Sequence, residues 1–484
     1  AYSPGGRGGK RPDRATIVYT NLIKQAFPQV PIILGGIEAS LRRFAHYDFW
    51  SDSMRRSLLF DAKADLIVYG MGEGPVLEIA RRLQNGESVA TLRGIRGTAR
   101  IIRAEEAKER PGLIALPSFE QIQTNPAQLI EATQLAEKAA NPYKNQALLQ
   151  PHGQRYLLAE PPIFPLASAQ IDQIFSLPYT RRAHPAYTEA IPAALPISTS
   201  VITHRGCLGG CAFCTLALHQ GKFIQSRSRE NILAEIAQIQ QNPGAKGIIS
   251  DLGGPSANMY QLAGKNRALC QDCERISCLH PRLCPNLDPD PAAVLALLAA
   301  ARQASGIRHV FVNSGIRMDL ALEQGRYIET LAGQYVGGQL STALEHVNPS
   351  VLHLMRKPSA EIFERFRQRF LHASSQAGKE QYLIPYLMVG FPGTGRPESL
   401  ELKNFLKSRN IRVRQIQEFI PLPGTLASAL YAAGEDGSHR PIYVERHKPA
   451  VRQQKDLLFW WEEDAPTPPK KKLNRRYGAE EDSR

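Results

Sequence analysis

Thr199-Ser-Val-Ile-Thr-His204-Arg-Gly-Cys207-Leu-Gly-Gly-Cys211-Ala-Phe-Cys214 joins a short β-branched run directly to a C-x3-C-x2-C loop, and that succession decides the fold. The run Thr199–His204 has the composition of a strand. Three thiolates at the spacing of Cys207, Cys211 and Cys214 wrap one loop around three irons of a four-iron cube and leave the fourth iron without a protein ligand. The flanking His204 and His219 keep a Cys3His zinc site as the alternative. Structural zinc, however, predicts a small ββα or ribbon module, not a loop opening a long α/β repeat.

The strand beside this loop is the first of six. Thr199–His204, Gly247–Asp251, His309–Asn313, Leu340–Leu344, Tyr382–Val389 and Val413–Ile420 are short apolar runs of the kind a helix-covered parallel sheet uses. Helices are expected near Glu230–Gln240, Pro291–Ala304, Leu320–Leu331, Ala360–Phe370, Pro397–Leu406 and Thr425–Ala432. Asp290 and Pro291 supply a cap and first-turn proline for the second of them. This rhythm predicts a partial (β/α)6 barrel over residues 195–440, with its site at the carboxyl ends of the strands. The loops there are Asp251-Leu-Gly253-Gly254, Asn313 to Arg317, Glu345-His346, Gly390 to Gly395 and Pro421-Leu-Pro423.

The remaining four of the seven cysteines, Cys270, Cys273, Cys278 and Cys284, lie on an insertion at 265–288. Four thiolates make a closed site, either structural zinc or a second iron–sulfur cluster. No thiol remains for a disulfide framework, which points to a reducing, cytoplasmic compartment.

Before the barrel, Pro12–Phe27 reads as a helix and Val30–Leu34 and Ala64–Tyr69 as strands, followed by a helix over Pro75–Leu83. Residues 1–90 are therefore expected to be the later part of a doubly wound α/β domain. Its Gly70-Met-Gly72-Glu-Gly74 turn lacks the dinucleotide spacing and the acidic residue that would follow it. Residues 91–194 read as a helical, proline-rich connection, 441–464 as a helical extension, and 465–484 as a disordered basic tail. The opening on Ala1 followed by a glycine-rich loop suggests that residues precede this chain.

Lysine and arginine outnumber acidic residues 59 to 45, a net charge of +14 spread mainly over the body. Such a surface is compatible with RNA, nucleotides or an anionic protein. The longest purely apolar stretch, Ala292–Ala301, falls well short of the roughly 20 residues of a membrane helix, and the start has no signal-peptide core.

Pro178-Tyr-Thr-Arg-Arg-Ala-His-Pro185, the loop from His204 through Cys214 to His219-Gln-Gly, Ser226-Arg-Ser-Arg, Ser314-Gly-Ile-Arg317, Glu418-Phe-Ile-Pro-Leu-Pro423 and the opening Tyr2-Ser-Pro-Gly-Gly-Arg resemble the YgiQ family of radical S-adenosylmethionine (SAM) proteins. The resemblance implies a [4Fe–4S] cluster on Cys207, Cys211 and Cys214, SAM as cofactor, and a reduced donor such as flavodoxin or ferredoxin. It places Phe213 near the adenine and Gly253 and Gly254 near the SAM amino group, although Pro255 stands where the glycine motif usually has an acidic residue. The N-terminal region resembles the later part of a cobalamin-binding domain; with no D-x-H-x-x-G loop in the chain, cobalamin is doubtful. The family's reaction is unassigned, with RNA or protein as candidate substrates. The competing class is a non-catalytic adaptor or nucleic-acid-binding protein braced by zinc or a cluster.

Overall fold

The computed structural model describes residues 2–9, 12–242 and 246–463; the tail expected over 465–484 lies outside them. Five successive parallel pairings begin at the quoted sequence. Ser200–Ile202 pairs with Asp251–Gly253, Ile248–Ile249 with His309–Val310, Ile316 bridges to Thr342, Gln339–Glu345 pairs with Tyr382–Val389, and the end of that strand pairs with Gln417–Glu418. Neighbours in sequence are neighbours in space, all in one direction, which is the βα-repeat barrel expected.

Covering helices bury one stripe each. Arg229–Gln240 is capped by Ser228, whose hydroxyl accepts from the Asn231 N–H at 3.1 Å, and buries Ile232, Ile236 and Ile239. Ala360–Gln376 buries Phe363, Phe366 and Phe370 completely, each contributing about 1.5–3 kcal/mol of apolar transfer. The helix expected over Leu320–Leu331 is broken into Met318–Glu323 and Tyr327–Thr330, because Gly325 between them takes a positive φ of 45°. The last strand is also shorter than expected. Val413 and Ile416 are buried, but the Val413 carbonyl accepts from the Trp461 indole at 3.1 Å instead of joining a ladder.

The N-terminal half forms one six-stranded sheet in the order Ile33–Leu34, Leu66–Val68, Thr98–Ile102, Arg155–Ala159, Leu148–His152, Ile114–Ala115. The first pair is parallel, as a doubly wound unit requires, and the middle pairings are antiparallel. Four of these strands come from the stretch expected to be a helical connection. Pro151 disguised one of them: Ile114–Ala115 pairs only with Leu148 and Leu149, so the missing N–H of Pro151 falls where that side of the strand has no partner.

Two contacts lock this half onto the barrel at the cysteine loop. Helix Ala127–Lys138 packs Leu129, Ile130 and Ala132 into a cluster with Ala212, Phe391, Phe419 and Leu430. Arg356, just past helix Pro349–Met355, makes a two-pronged pair with Glu137 at 2.7 and 2.8 Å.

Candidate functional site

The cysteine loop leaves the first barrel strand through Gly206, at φ +88°, where a Cβ would stand 2.1 Å from the Phe223 carbonyl oxygen. No side chain fits that turn. The loop is then fixed from both sides: the Ala212 N–H donates to the Met355 carbonyl at 3.0 Å, and the Ala212 carbonyl accepts from the Ala427 N–H at 2.9 Å. After Cys214 the chain enters helix Thr215–Gln220.

Within the loop, a Cβ added at Gly209 would lie 3.4 Å from the Cys207 sulfur and 3.7 Å from the Cys211 sulfur. The same Cβ would lie 2.9 Å from the Arg317 guanidinium, so glycine here lets that cation approach the sulfurs. Burial pushes the Cys207 thiol up, and burial together with the neighbouring Cys211 pushes Cys214 up to about 12. Thiolates in this loop therefore need cations. The structure supplies two. The buried Arg317 reaches the Cys211 sulfur at 3.5 Å with one arm, while its other nitrogens hold Asp319 at 3.0 and 2.6 Å. Lys357, 4% exposed, also lowers the cost of ionising Cys207 and Cys214, and it lies 4.0 Å from Glu345. Burial raises the Glu345 carboxyl against the pull of both cations.

Among the described residues, no three Cys, His, Asp or Glu side chains close on one point as a single ion requires. A four-iron cube takes each thiolate at a different corner, so this loop and its buried cations fit the cluster. Each flanking histidine uses one ring nitrogen locally: His204 Nδ1 lies 2.8 Å from the Thr203 hydroxyl, and His219 Nδ1 lies 3.0 Å from the Ser40 hydroxyl.

The other sequence-designated residues sit at the same end of the barrel. A Cβ at Gly253 would strike the Ser314 hydroxyl oxygen at 2.6 Å, and one at Gly254 the His204 ring at 2.6 Å. Their glycine character is thus explained by close packing of strand ends. Asp251, beside them, accepts from the N–H groups of Asn313 and Ser314 at 2.8 and 3.0 Å and from the Ser314 hydroxyl. Phe213 is half-buried and meets Phe391 edge-on at 6.2 Å. His204 Nε2, Thr342 Oγ1 and His346 Nε2 are buried polar atoms without protein partners, His204 and His346 just past the strands Ser200–Ile202 and Gln339–Glu345 and Thr342 midway along the second of them. Glu345, in the same place, takes a left-handed φ of 69° beside a register shift. Such unspent polarity and strain collect at functional sites.

Two arginines flanking the loop, Arg181 before it and Arg227 after it, serve the scaffold. Arg181 donates to the Ser198 and Ser200 carbonyls and pairs with Glu235, and the fully buried Arg227 pairs with the same carboxylate while donating to the Ile202 carbonyl at 2.7 Å. They clamp the first strand. Sequence reasoning missed Asp319 and Lys357. The Arg-x-Asp step at 317–319 was a readable signal for the first; Lys357 carried none.

Cobalamin does not fit these residues. The Gly70–Gly74 turn packs directly on the helix after the cysteines, with Arg205 and Glu73 paired at 2.8 Å. The cavity there, between Tyr69, Gly70 and His219, measures about 70 Å³, below the ~300 Å³ at which cofactor-sized pockets begin.

No described helix is long and apolar enough to cross a membrane. Residues 1–200 match the family model for the radical SAM N-terminal region, and residues 201–406 that of the radical SAM superfamily. A UPF0313 protein of Geobacter sulfurreducens is 47% identical over 461 residues, covering 95% of this chain and 76% of the relative. The UPF0313 protein YgiQ of Escherichia coli is 41% identical over 491 residues, covering 90% and 66%. A solved structure of TsrM, a radical SAM methyltransferase from Kitasatospora setae, is similar at a TM-score of 0.48 and 12% identity, covering 92% of this chain and 74% of that one, a likeness too distant to bear on function. Sustained identity across both halves of the chain, with a cysteine loop at the carboxyl end of the first barrel strand, makes this protein a member of the UPF0313 (YgiQ) family of radical SAM proteins, a membership that implies a [4Fe–4S] cluster and SAM.

Proposed function

We propose that this protein is an enzyme that cleaves SAM reductively, with Cys207, Cys211 and Cys214 as the three protein ligands of its [4Fe–4S] cluster. When bound, the cluster and SAM supply one-electron cleavage of the sulfonium, giving methionine and a 5′-deoxyadenosyl radical that abstracts hydrogen from a substrate. The observation that carries this reading is the cysteine loop at the end of the first barrel strand, with the buried Arg317 against the Cys211 sulfur.

The chain's own residues have separate tasks. Arg317 and Lys357 offset the negative charge of three thiolates in a buried loop, and Asp319 fixes the guanidinium so that one arm stays on the sulfur. Gly209, where a Cβ would stand 2.9 Å from the guanidinium, leaves Arg317 room to reach the sulfur. Asp251 ties the end of the second strand to the loop after the third, holding Gly253 and Gly254 against Ser314 and His204. Phe213, Gly253 and Gly254 are the candidates for SAM contact, and the unpartnered polar atoms of His204, Thr342 and His346 face the remaining recognition task.

A reduced one-electron donor is required. The substrate is unassigned; the charge of +14 favours an anionic macromolecule, and RNA binding that weakens steeply with salt would support that class. The enzymatic reading is tested by electron paramagnetic resonance of the reduced protein. Added SAM is expected to shift the cluster signal in the wild type, and to have nothing to shift in the Cys207/Cys211/Cys214 triple alanine variant. A wild-type signal indifferent to saturating SAM would refute the open iron.

A further inference from the structure

The four cysteines of the insertion belong to none of this machinery, yet the chain builds their surroundings with care. The segment folds back on the first cysteine loop: the Cys278 N–H donates to the Leu208 carbonyl at 3.0 Å, and the Ser277 hydroxyl donates to the Gly209 carbonyl at 2.6 Å. The approach is close enough that a Cβ at Gly210 would lie 3.0 Å from the Ile276 carbonyl oxygen. Leu208, Met259, Leu262, Leu279, Leu287 and Leu320 fill the seam, with Cys207, Cys278 and Cys284 packed at its margin.

Distant residues hold the segment in shape. The Asn141 amide donates to the carbonyls of Cys270, Gln271 and Cys273 at 3.2, 2.9 and 3.1 Å. The Lys222 ammonium donates to those of Cys273 and Arg275 at 3.4 and 3.0 Å. Two donors already point at sulfur: the Asn286 amide at Cys270, 3.2 Å, and the Arg275 N–H at Cys273, 3.4 Å. N–H groups aimed at cysteine sulfur stabilise thiolates and tune clusters.

All four cysteines line one cavity of about 750 Å³. Tetrahedral zinc needs four sulfurs about 2.3 Å from a single point, and among the described residues no three Cys, His, Asp or Glu side chains close on one point. A multi-iron cluster takes its thiolates on different irons and does not require that convergence. Cys211, Cys214 and Cys273 all line a second cavity of about 70 Å³, so the two cysteine sets border a common space.

We propose that Cys270, Cys273, Cys278 and Cys284 ligate a second iron–sulfur cluster, closed by four thiolates and placed to exchange electrons with the site at Cys207, Cys211 and Cys214. Four protein ligands leave no iron open to SAM, so its chemistry is electron transfer. One electron enters from a reduced low-potential one-electron carrier and one leaves toward the first site; no bond is made or broken, and the second cluster returns to its starting state. The exchange, though not the site itself, rests on the reading of the first loop as a cluster.

The test uses the full chain, reconstituted anaerobically with iron and sulfide. About eight irons per wild-type chain are expected, and about four in the Cys207/Cys211/Cys214 triple alanine variant, whose remaining signal is indifferent to SAM. Fully reduced wild type should show the two signals broadened by mutual spin coupling. Retention of one zinc and no iron by the triple variant overturns the second cluster. Two full clusters without mutual broadening overturn the exchange. If wild type ignores SAM while the triple variant keeps four irons, the enzymatic reading falls and the second cluster stands. Because substitution of all four insertion cysteines threatens the seam at Leu208, Asn286→Ala provides the milder probe. It should shift the midpoint potential of the SAM-indifferent signal and leave that of the other unchanged; a shift in neither contradicts the placement of Asn286 on this cluster.

Discussion

Replacing Arg317 by glutamine deletes a guanidinium that serves two anions at once. Its ion pair with Asp319 is nearly dry, the side chains being 6% and 14% exposed. Burial works against the Asp319 carboxylate, yet Arg317 holds it below the usual carboxylate range. Removing one partner of such a pair leaves an uncompensated buried charge and costs about 3–5 kcal/mol. Asp319→Asn in the same chain removes that charge, so the double variant should recover most of the loss, a coupling of about 2 kcal/mol or more. The second role is separable. At 3.5 Å from the Cys211 sulfur, a unit positive charge is worth up to about 5 kcal/mol to a thiolate at an effective dielectric of 20. The double variant should therefore regain stability while still losing iron faster than wild type. The assay is guanidinium unfolding of the metal-free protein, followed by the fluorescence of Trp460 and Trp461 in the barrel core, with iron release to a chelator measured beside it. A double variant as unstable as Arg317→Gln alone would refute the ion-pair argument, and unchanged iron release would refute the role assigned at sulfur.

Three further outcomes are expected. His152 is stacked between Phe60 and Phe119 with neither ring nitrogen partnered, and burial, then Arg56 and Arg155, lower its pKa to about 4. The unfolded chain binds that proton more readily, so the stability this neutral ring supports is complete above about pH 6.5 and falls as pH drops toward 4, by about 2 kcal/mol at pH 5. His152→Phe should remove that part of the decline, read as a smaller drop in melting temperature between pH 7.5 and pH 5; an identical drop would contradict it. Gly206→Ala should prevent iron uptake while circular dichroism stays near wild type, since the added Cβ collides only with the Phe223 carbonyl at the mouth of the loop; normal iron loading would show that the turn tolerates a side chain. Glu235→Gln strips Arg181 and Arg227 of their shared carboxylate and should cost about 3 kcal/mol or more in the unfolding midpoint, against a negligible change if the two arginines are held by backbone carbonyls alone.

The barrel was legible where pattern and pairing coincide. Tyr382–Val389 is read correctly to the residue because its hydrophobic run is central and paired on both sides. Val413–Ile420 reads equally well as a strand, but its first half satisfies itself through Trp461, a partner from outside the repeat. The N-terminal sheet was only half legible: its parallel pair announces itself by apolar runs before glycine turns, whereas Leu148–His152 contains a proline and becomes readable only once its short neighbour is known to stop at Ala115. At the site, local spacing was enough to find the thiols. The groups that make those thiols usable come from other strands and helices: Arg317 and Asp319 from after the third strand, Lys357 from after the fourth, and Asn141 from the N-terminal half. No local pattern joins them, because tertiary contact alone brings them to the sulfurs.

The most direct measurement is 5′-deoxyadenosine formed from SAM by the anaerobically reconstituted protein under a strong chemical reductant, beside the Cys207/Cys211/Cys214 triple alanine variant. Formation by the wild type and none by the variant is the expected result. Equal formation by both, or none by a wild type carrying its full iron load, would contradict the assignment of these three cysteines to reductive SAM cleavage.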